Sequence, residues 1–192
     1  MKQLEGRSIA GHFIKKIKKQ VGTLTRPPGL SFILIGNNDA SHSYVRMKKK
    51  RCAEVGIISH VHELPSTTSE NHLLELIKEL NNDPHTDGIL VQQPLPPHLC
   101  TAKVVEAVNP SKDVDGFHPL NLGKLLVGDP TGFIPCTPLG IQKLLQAYEI
   151  PTEGKHVVIL GRSSIVGKPL AALLVQKNSL ANATVTIAHT AT

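Results

Sequence analysis

The stretch LSFILIG, Leu30 to Gly36, constrains this chain more than any other. An apolar run that does not alternate with polar residues has to be covered on both faces, and strands of that kind belong to parallel sheets. Its neighbours repeat the demand. Residues 56–64 (GIISHVHEL) read as a second strand, and 87–96 (DGILVQQPLP) as a third buried strand that runs into a proline-rich loop. Between them, 40–55 and 69–81 carry helical spacing, the second with Ser69 at its start. Ahead of them, 3–21 places Ile9, Phe13, Ile14, Ile17 and Val21 on one helical face, and RPPG then breaks the chain. This βαβαβ alternation predicts parallel strands joined by right-handed helical crossovers.

Residues 109–136 change character. The segment NPSKDVDGFHPLNLGKLLVGDPTGFIPC is rich in Pro, Gly and Asp and reads as the wall of a cleft between two domains. TPLGIQKLLQAYEI then predicts a helix with Thr137 as its N-cap and Pro138 at the first helical position. GKHVVILGRSSIVGKPLAALLVQ reads as strand, glycine turn and helix, and ATVTIAH as a further strand.

Composition removes several classes of function. No apolar run reaches the ~18 residues of a membrane helix, so no membrane association is expected. The N-terminus MKQLEGRSIAGHF has no signal-peptide core before charge returns. Aromatics make up 3% of the chain and Trp is absent, which argues against a stacking surface for nucleic acid. Cys52, Cys100 and Cys136 are odd in number and far apart. They fit neither a disulfide framework nor a zinc spacing, so a reducing, cytoplasmic setting is expected. His60 and His62 share a strand face without a third ligand nearby, and no metal site is expected. The net charge of +6 suits anionic partners such as phosphorylated cofactors and polycarboxylates.

The run SYVRMKKKRCAEVG holds four consecutive basic residues, Lys48 to Arg51. Wound as a helix with Tyr44 at zero, Val55 falls at about 20°, Lys48 at about 40°, Cys52 at about 80° and Val45 at about 100°. Lys48 is the only charge in that arc. Arg46, Lys49 and Lys50 point elsewhere, and Arg51 sits at its edge. The four are therefore not one patch. On geometry alone Lys48 is either a snorkelling side chain whose stem covers the core, or an amine held for chemistry.

VILGRSSIVGKP (158–169) ends a strand at Gly161 and opens a helix, which is the outline of a phosphate-binding turn. The full G-x-G-x-x-G pattern is missing, because Ser163 and Val166 stand at the later glycine positions, so an ordinary βα turn remains an alternative. Folds that select NAD place an acid about 20 residues further on. From Gly154 to Thr192 there is no Asp or Glu, while Arg162 lies in the turn. That pattern favours a 2′-phosphate, which a guanidinium fork binds well. In PSKDVDGFHP, Asp113 and Asp115 with Gly116 either turn the chain on its own backbone or receive the N–H groups of a heterocycle.

SYVRMKKKRCAEVGI, GILVQQPLP, KDVDGFHP with NLGKL, GFIPCTPLGI and HVVILGRSSIVGKPLAALL stand in one order and spacing. Together they resemble the bifunctional methylenetetrahydrofolate dehydrogenase/methenyltetrahydrofolate cyclohydrolase family over essentially the whole chain. The resemblance implies an α/β fold: an N-terminal catalytic, folate-binding α/β domain over 1–136, the start of a Rossmann NADP-binding domain over 137–192, and a folate cleft between them. It implies NADP-dependent oxidation of 5,10-methylenetetrahydrofolate to the methenyl form, and hydrolysis of that form to 10-formyltetrahydrofolate. The substrate would be a folate, suitably polyglutamylated, and the protein a homodimer paired through its Rossmann domains.

Residue by residue, Tyr44 matches the tyrosine that packs on the folate and Lys48 the catalytic lysine. Gln92 matches the glutamine that hydrogen-bonds that lysine, with Val91 beside it in the substrate site. Asp115 matches the aspartate that holds the pterin. Gly161, Arg162, Ser163, Ile165 and Val166 match the cofactor turn. Thr190 stands where many members carry a serine that reaches the 2′-phosphate. Gln93 departs from the usual leucine. A doubly wound nucleotide domain needs more strands than two, so the resemblance implies on the order of a hundred residues beyond Thr192. An NADP oxidoreductase of shikimate type, which does not need Tyr44, Lys48, Gln92 and Asp115 together, and a noncatalytic basic module remain the rival readings.

Overall fold

The computed structural model describes residues 3–192. In chain order the elements are α1 (Gly6–Val21), β1 (Gly29–Ile35), α2 (Asp39–Val55), β2 (Ile58–Leu64), α3 (Glu70–Asn82), β3 (Gly88–Val91), α4 (Thr101–Ala107), α5 (Pro119–Val127), α6 (Cys136–Ala147), β4 (His156–Leu160), α7 (Gly167–Leu174) and β5 (Thr184–Ala188). The protein is α/β, as the alternation predicts. Contacts divide it into two compact units. One spans 10–114. The other spans 115–192 with the described residues up to Ile9.

In the first unit three parallel strands lie in the order β2-β1-β3. β1 is central, and its residues alternate between two apolar layers. Ile33 and Ile35 pack with Leu73 and Ile77 of α3 and Val104 of α4. Phe32 and Leu34 pack with Val45 and Cys52 of α2 and with Leu90 of β3. Phe32, Ile33 and Leu34 are fully buried, which is worth about 1.5–3 kcal/mol for each side chain. LSFILIG is thus buried from Ser31 to Gly36 because helices cover both faces, with its one polar side chain, Ser31, 3.4 Å from the Thr86 hydroxyl.

The opposite edge of this sheet is fastened by charge. Arg26 donates from Nη1 and Nη2 to the two Asp87 oxygens, each at 2.7 Å, just before β1 and β3 begin. Asp87 also accepts from the Gly29 amide at 2.8 Å. The Arg26 hydrogen bond is the main cause holding the Asp87 carboxyl below its ordinary range. Both side chains are more than 40% exposed, so solvent screens the pair and its contribution is small.

In the second unit β4 and β5 pair in parallel. Ile159 packs with Leu170 and Leu174 of α7, over Ile141 of α6 and Val185 of β5. Side-chain amides tie the connections: Gln142 Nε2 donates to the Leu180 carbonyl at 3.0 Å and Gln176 Nε2 to that of Leu125 at 2.8 Å. The Glu5 amide donates to the Tyr148 hydroxyl at 2.8 Å, which ties the N-terminal segment to this unit.

Three local expectations need correction. Thr137 is not an N-cap: α6 begins at Cys136 behind Pro135 and no side chain caps it. Pro138 therefore sits within the first turn, where its missing N–H has no intrahelical partner to lose. Within the Pro- and Gly-rich segment 109–136 lies α5. His118 Nδ1 accepts from the Leu120 amide at 3.0 Å and Pro119 follows at the first position, a start signal hidden among Gly and Pro. By contacts, residues 115–136 group with the second unit. β2 begins at Ile58 rather than Gly56, since Gly56 closes α2 at φ 88°, a left-handed position that suits glycine.

Among the described residues no helix is long and apolar enough to cross a membrane. One buried polar atom stands out. Nε2 of His62, on the edge strand β2, is shielded from solvent and has no hydrogen-bond partner. Burial, and secondarily His60, pushes its proton affinity below the ordinary imidazole value. The unfolded chain therefore takes up this proton first as pH falls. The stability tied to His62 is complete above about pH 6.5 and is lost as pH drops through the lower folded-state value. His62→Leu should flatten this part of the acid limb. The urea midpoint of the wild type should fall further between pH 7.5 and pH 5.5 than that of the variant. A constant gap between the two proteins would show that His62 carries no linkage.

Candidate functional site

Parallel strands deliver their carboxyl ends to one edge of a sheet, and polar groups gather there. In the first unit, β1 ends at Ile35 and turns through Gly36 at φ 77°. Asn38 then caps α2, its Oδ1 accepting from the Ser41 amide at 3.0 Å. β3 ends beside it, where the Gln92 amide donates to the Ile33 carbonyl at 2.9 Å. The helix carrying Lys48 and the strand carrying Gln92 thus meet at the same edge.

The sides of α2 separate as its spacing predicts. Val45, Cys52 and Val55 are buried. Arg46, Lys49, Lys50 and Arg51 are exposed, and Lys48 is half-buried between the two groups. Its Nζ donates to Gln92 Oε1 at 3.1 Å. The Gln92 amide is fixed at its other end too, because Nε2 donates to the Gln93 carbonyl at 2.7 Å. Only one orientation of that amide serves both bonds, so the acceptor oxygen faces the lysine. Tyr44, one turn before Lys48, is 57% exposed: it shares the arc of Lys48 but its ring stands on open surface. Val91 is half-buried against the Ile33 layer. The Gln93–Pro94 peptide is cis.

Asp113 and Asp115 part company. Asp113 is buried and bridges to Ile89 beside β3, with the Ile89 amide donating to the Lys112 carbonyl at 2.8 Å. Lys112 Nζ donates to the carbonyls of Leu80 and Asp83, so this end of the motif is structural. Asp115 is half-buried and opens the second unit. Gly116 follows at φ 70°, where a Cβ would come within 3.0 Å of the backbone of Phe133, Ile134 and Pro135. That close approach requires glycine.

The second unit gathers its polar groups around the ends of β4 and β5. The register sets Leu160 opposite Ala188, and the Gly161 amide donates to the Ala188 carbonyl at 2.8 Å. Gly161 and His189 therefore leave the sheet side by side. Gly161 has φ 117° with open space where a Cβ would stand. Gly167 sits so close to the Gly161 carbonyl that a Cβ would run into it. A hollow of about 640 Å³ opens here, lined by Leu160, Gly161, Arg162, Ala188, His189, Thr190 and Thr192. Arg162 Nη1 lies 3.2 Å from His189 Nε2. Ile165 is 42% exposed.

Ser163 faces inward along the chain. Its hydroxyl accepts from the amides of Val166 at 3.1 Å and Gly167 at 3.3 Å. The first N–H groups of α7 are thus already occupied. An expectation that this helix end would offer them to an anion does not hold in this conformation. Donors that point into the hollow come from side chains instead. Glycine-shaped space, a guanidinium and an imidazole without any carboxylate over 154–192 fit a phosphorylated nucleotide. Sequence reading singled out Thr190 and missed His189. The parallel register, which sets the residue after β5 against the residue after β4, was the signal that would have found it.

Comparison with known proteins supports both halves of this description. Residues 4–115 match the catalytic domain of tetrahydrofolate dehydrogenase/cyclohydrolase, and residues 135–192 match its NAD(P)-binding domain. The bifunctional protein FolD of Chlamydia abortus is 52% identical over 186 residues, and that of Chlamydia pneumoniae 50%. Each match covers 97% of this chain and 65% of the relative, so the chain spans a little under two thirds of their length. The crystal structure of the FolD dehydrogenase/cyclohydrolase from Campylobacter jejuni superposes with a TM-score of 0.94 at 45% identity, covering 98% of this chain and 67% of that one. The Trypanosoma brucei FolD, solved with NADP and an inhibitor, superposes at 0.90 with 35% identity, covering 98% and 64%. With one family model matched from Glu5's neighbour at position 4 through Asp115 and the other from Pro135 onward, this chain belongs to the tetrahydrofolate dehydrogenase/cyclohydrolase family.

Proposed function

We propose that this chain carries residues for two linked reactions: NADP-dependent oxidation of 5,10-methylenetetrahydrofolate, and hydrolysis of the resulting methenyl cation to 10-formyltetrahydrofolate. The observation that carries the reading is the Lys48 Nζ to Gln92 Oε1 hydrogen bond at the carboxyl edge of the first sheet. A half-buried amine held by an amide that is itself held by backbone is an oriented acid–base group, not a solvated surface charge.

The residues divide the work. Tyr44 packs on the folate and Val91 lines its site. Gln92 aims the lysine. Asp115 receives N–H groups of the pterin. Oxidation needs the reacting carbon aligned more than it needs proton transfer, and Tyr44, Lys48 and Asp115 supply that alignment. NADP, when bound, supplies the hydride acceptor. In the hydrolysis, water adds to the methenyl carbon and gives up a proton, N5 gains a proton, and as the bond from that carbon to N5 breaks the new hydroxyl gives up its own proton to leave the formyl carbonyl. Lys48 is placed to shuttle the proton. Residues 137–192 open the NADP-binding domain, with Gly161, Arg162, Ser163, Ile165, Val166 and Thr190 forming the cofactor turn, and 1–136 form the catalytic domain. The net charge of +6 suits a polyglutamylated folate. A cytoplasmic homodimer completes the proposal.

Lys48→Met keeps the stem and removes the amine. It should lower methenyl-folate hydrolysis by about 10²–10⁴-fold. Lys49→Met and Lys50→Met, whose side chains are exposed, should leave turnover within about twofold. Gln92→Ala acts through Lys48, so the double variant should be no slower than Lys48→Met alone. Hydrolysis rates across pH decide the matter, and an effect of Lys49→Met as large as that of Lys48→Met would overturn the assignment.

Cofactor choice has its own test. Removing one charge-assisted hydrogen bond to a phosphate costs about 1.5–3 kcal/mol, or roughly 10- to 150-fold. Arg162 is exposed, so the low end applies. Arg162→Ala should weaken NADP binding about tenfold and leave NAD little changed in calorimetric titration. Equal losses for both would remove Arg162 from 2′-phosphate recognition.

A further inference from the structure

The His189 ring faces two donors. The Ala191 amide donates to Nδ1 at 3.2 Å, and Arg162 Nη1 lies 3.2 Å from Nε2. A guanidinium has only donors to offer, as does a backbone N–H, and a neutral imidazole has one bare nitrogen. Neither tautomer serves both neighbours. With the hydrogen on Nε2, the ring meets Ala191 correctly and points its own N–H at the guanidinium. With the hydrogen on Nδ1, Arg162 is served and Ala191 is opposed.

The backbone side of this conflict is the firmer one. The turn is closed by two further bonds, from the His189 amide to Thr192 Oγ1 and from the Thr192 amide to the His189 carbonyl, each at 2.9 Å. Ala191 is therefore held where it is, and Nδ1 is its acceptor. That leaves Nε2–H and the Arg162 guanidinium side by side at the wall of a hollow of about 640 Å³, with the Thr190 hydroxyl on the same wall. Three donors converge, and the chain holds no carboxylate anywhere over 154–192 to accept from them.

We propose that His189 is a specificity-determining residue of this hollow, donating from Nε2 to the same 2′-phosphate that Arg162 binds. The inference rests on the NADP reading and extends it to a residue with no role in that reading. A phosphate seated between the two side chains accepts from both, so ligand binding turns an opposed pair of donors into two satisfied ones. A ribose 2′-hydroxyl offers both donors a single uncharged oxygen, whereas the phosphate offers each its own anionic oxygen and a charge-assisted bond. His189 and Arg162 thereby favour NADP over NAD.

The probes are adenosine 2′,5′-bisphosphate, which carries the 2′-phosphate without nicotinamide, and 5′-AMP, which lacks it. Both are titrated calorimetrically into the full chain as wild type, Arg162→Ala and His189→Phe. Wild type should prefer the bisphosphate. His189→Phe keeps a ring of similar size and should weaken the bisphosphate about tenfold while holding 5′-AMP within about twofold, which also shows that the variant is folded. If Arg162→Ala loses the preference and His189→Phe retains it, the role of His189 is overturned and the NADP reading stands. If wild type shows no preference, both fall together. A second measurement needs no variant. Nitrogen NMR of the His189 ring in the bisphosphate complex should find the hydrogen on Nε2 and Nδ1 bare, and a ring with bare Nε2 would overturn the proposal.

Discussion

Parallel pairing governs everything else in this chain. A strand that must run beside its predecessor in the same direction has to be returned by a crossover, and here the crossovers are helices. α2 and α3 return the chain in the first unit and α7 in the second. Each strand therefore ends at an edge where a helix begins, and backbone amides and carbonyls there are released from the ladder. Gln92 follows β3, Gly36 follows β1, Gly161 follows β4 and His189 follows β5. Tyr44 and Lys48 lie on the helix that follows β1, while Asp115 stands apart from any strand end, after α4. The opposite edge of the first sheet has a different task. Arg26, Asp87 and the Gly29 amide form a clamp there, and it serves stability alone.

The Lys48–Gln92 contact differs in kind from the ion pairs elsewhere. Arg51–Glu54 joins two exposed side chains, and Lys103–Glu70 an exposed lysine with a partly covered carboxylate, and solvent screens such pairs. Lys48 meets a neutral partner instead. A carboxylate in place of Gln92 would set an opposite charge beside the amine. An amide orients it without adding charge. Gln92 is in turn oriented by the Gln93 carbonyl, so the aim of the lysine is set by main chain at the end of β3. The packing of Val45, Cys52 and Val55 supplies the other half, because those residues fix the rotation of α2 about its axis.

Much of this was legible in the sequence. The apolar run at 30–36 required a doubly covered central strand, and helical spacing alone separated Lys48 from Lys49 and Lys50. Tyr44 shows the limit of that method. An arc gives direction from the axis but not what lies beyond it, and past the last strand residue nothing covers the Tyr44 ring within its unit. α5 was hidden because proline and glycine read as breakers until their positions are known. Pro119 sits where a helix tolerates it and Gly128 where a helix ends. His189 was hidden for a different reason. Its significance comes from Gly161 and Arg162, 27 residues earlier in the case of the arginine, and only the strand register connects them.

The turn after β4 leaves no free amides at the start of the helix that follows it. Ser163 satisfies the Val166 and Gly167 amides at the start of α7, a helix of eight residues whose N-cap position is Val166. The same bonds withdraw two amides that a glycine-rich fingerprint would have pointed at an anion. Positive charge then has to come from side chains, and Arg162 supplies it in fixed planar form. A site made this way depends less on backbone shape and more on which side chains stand at the ends of two neighbouring strands. This accounts for a turn that departs from G-x-G-x-x-G while still leaving Gly161 and Gly167 at the two places where a Cβ would be misplaced: one at φ 117°, the other against the Gly161 carbonyl.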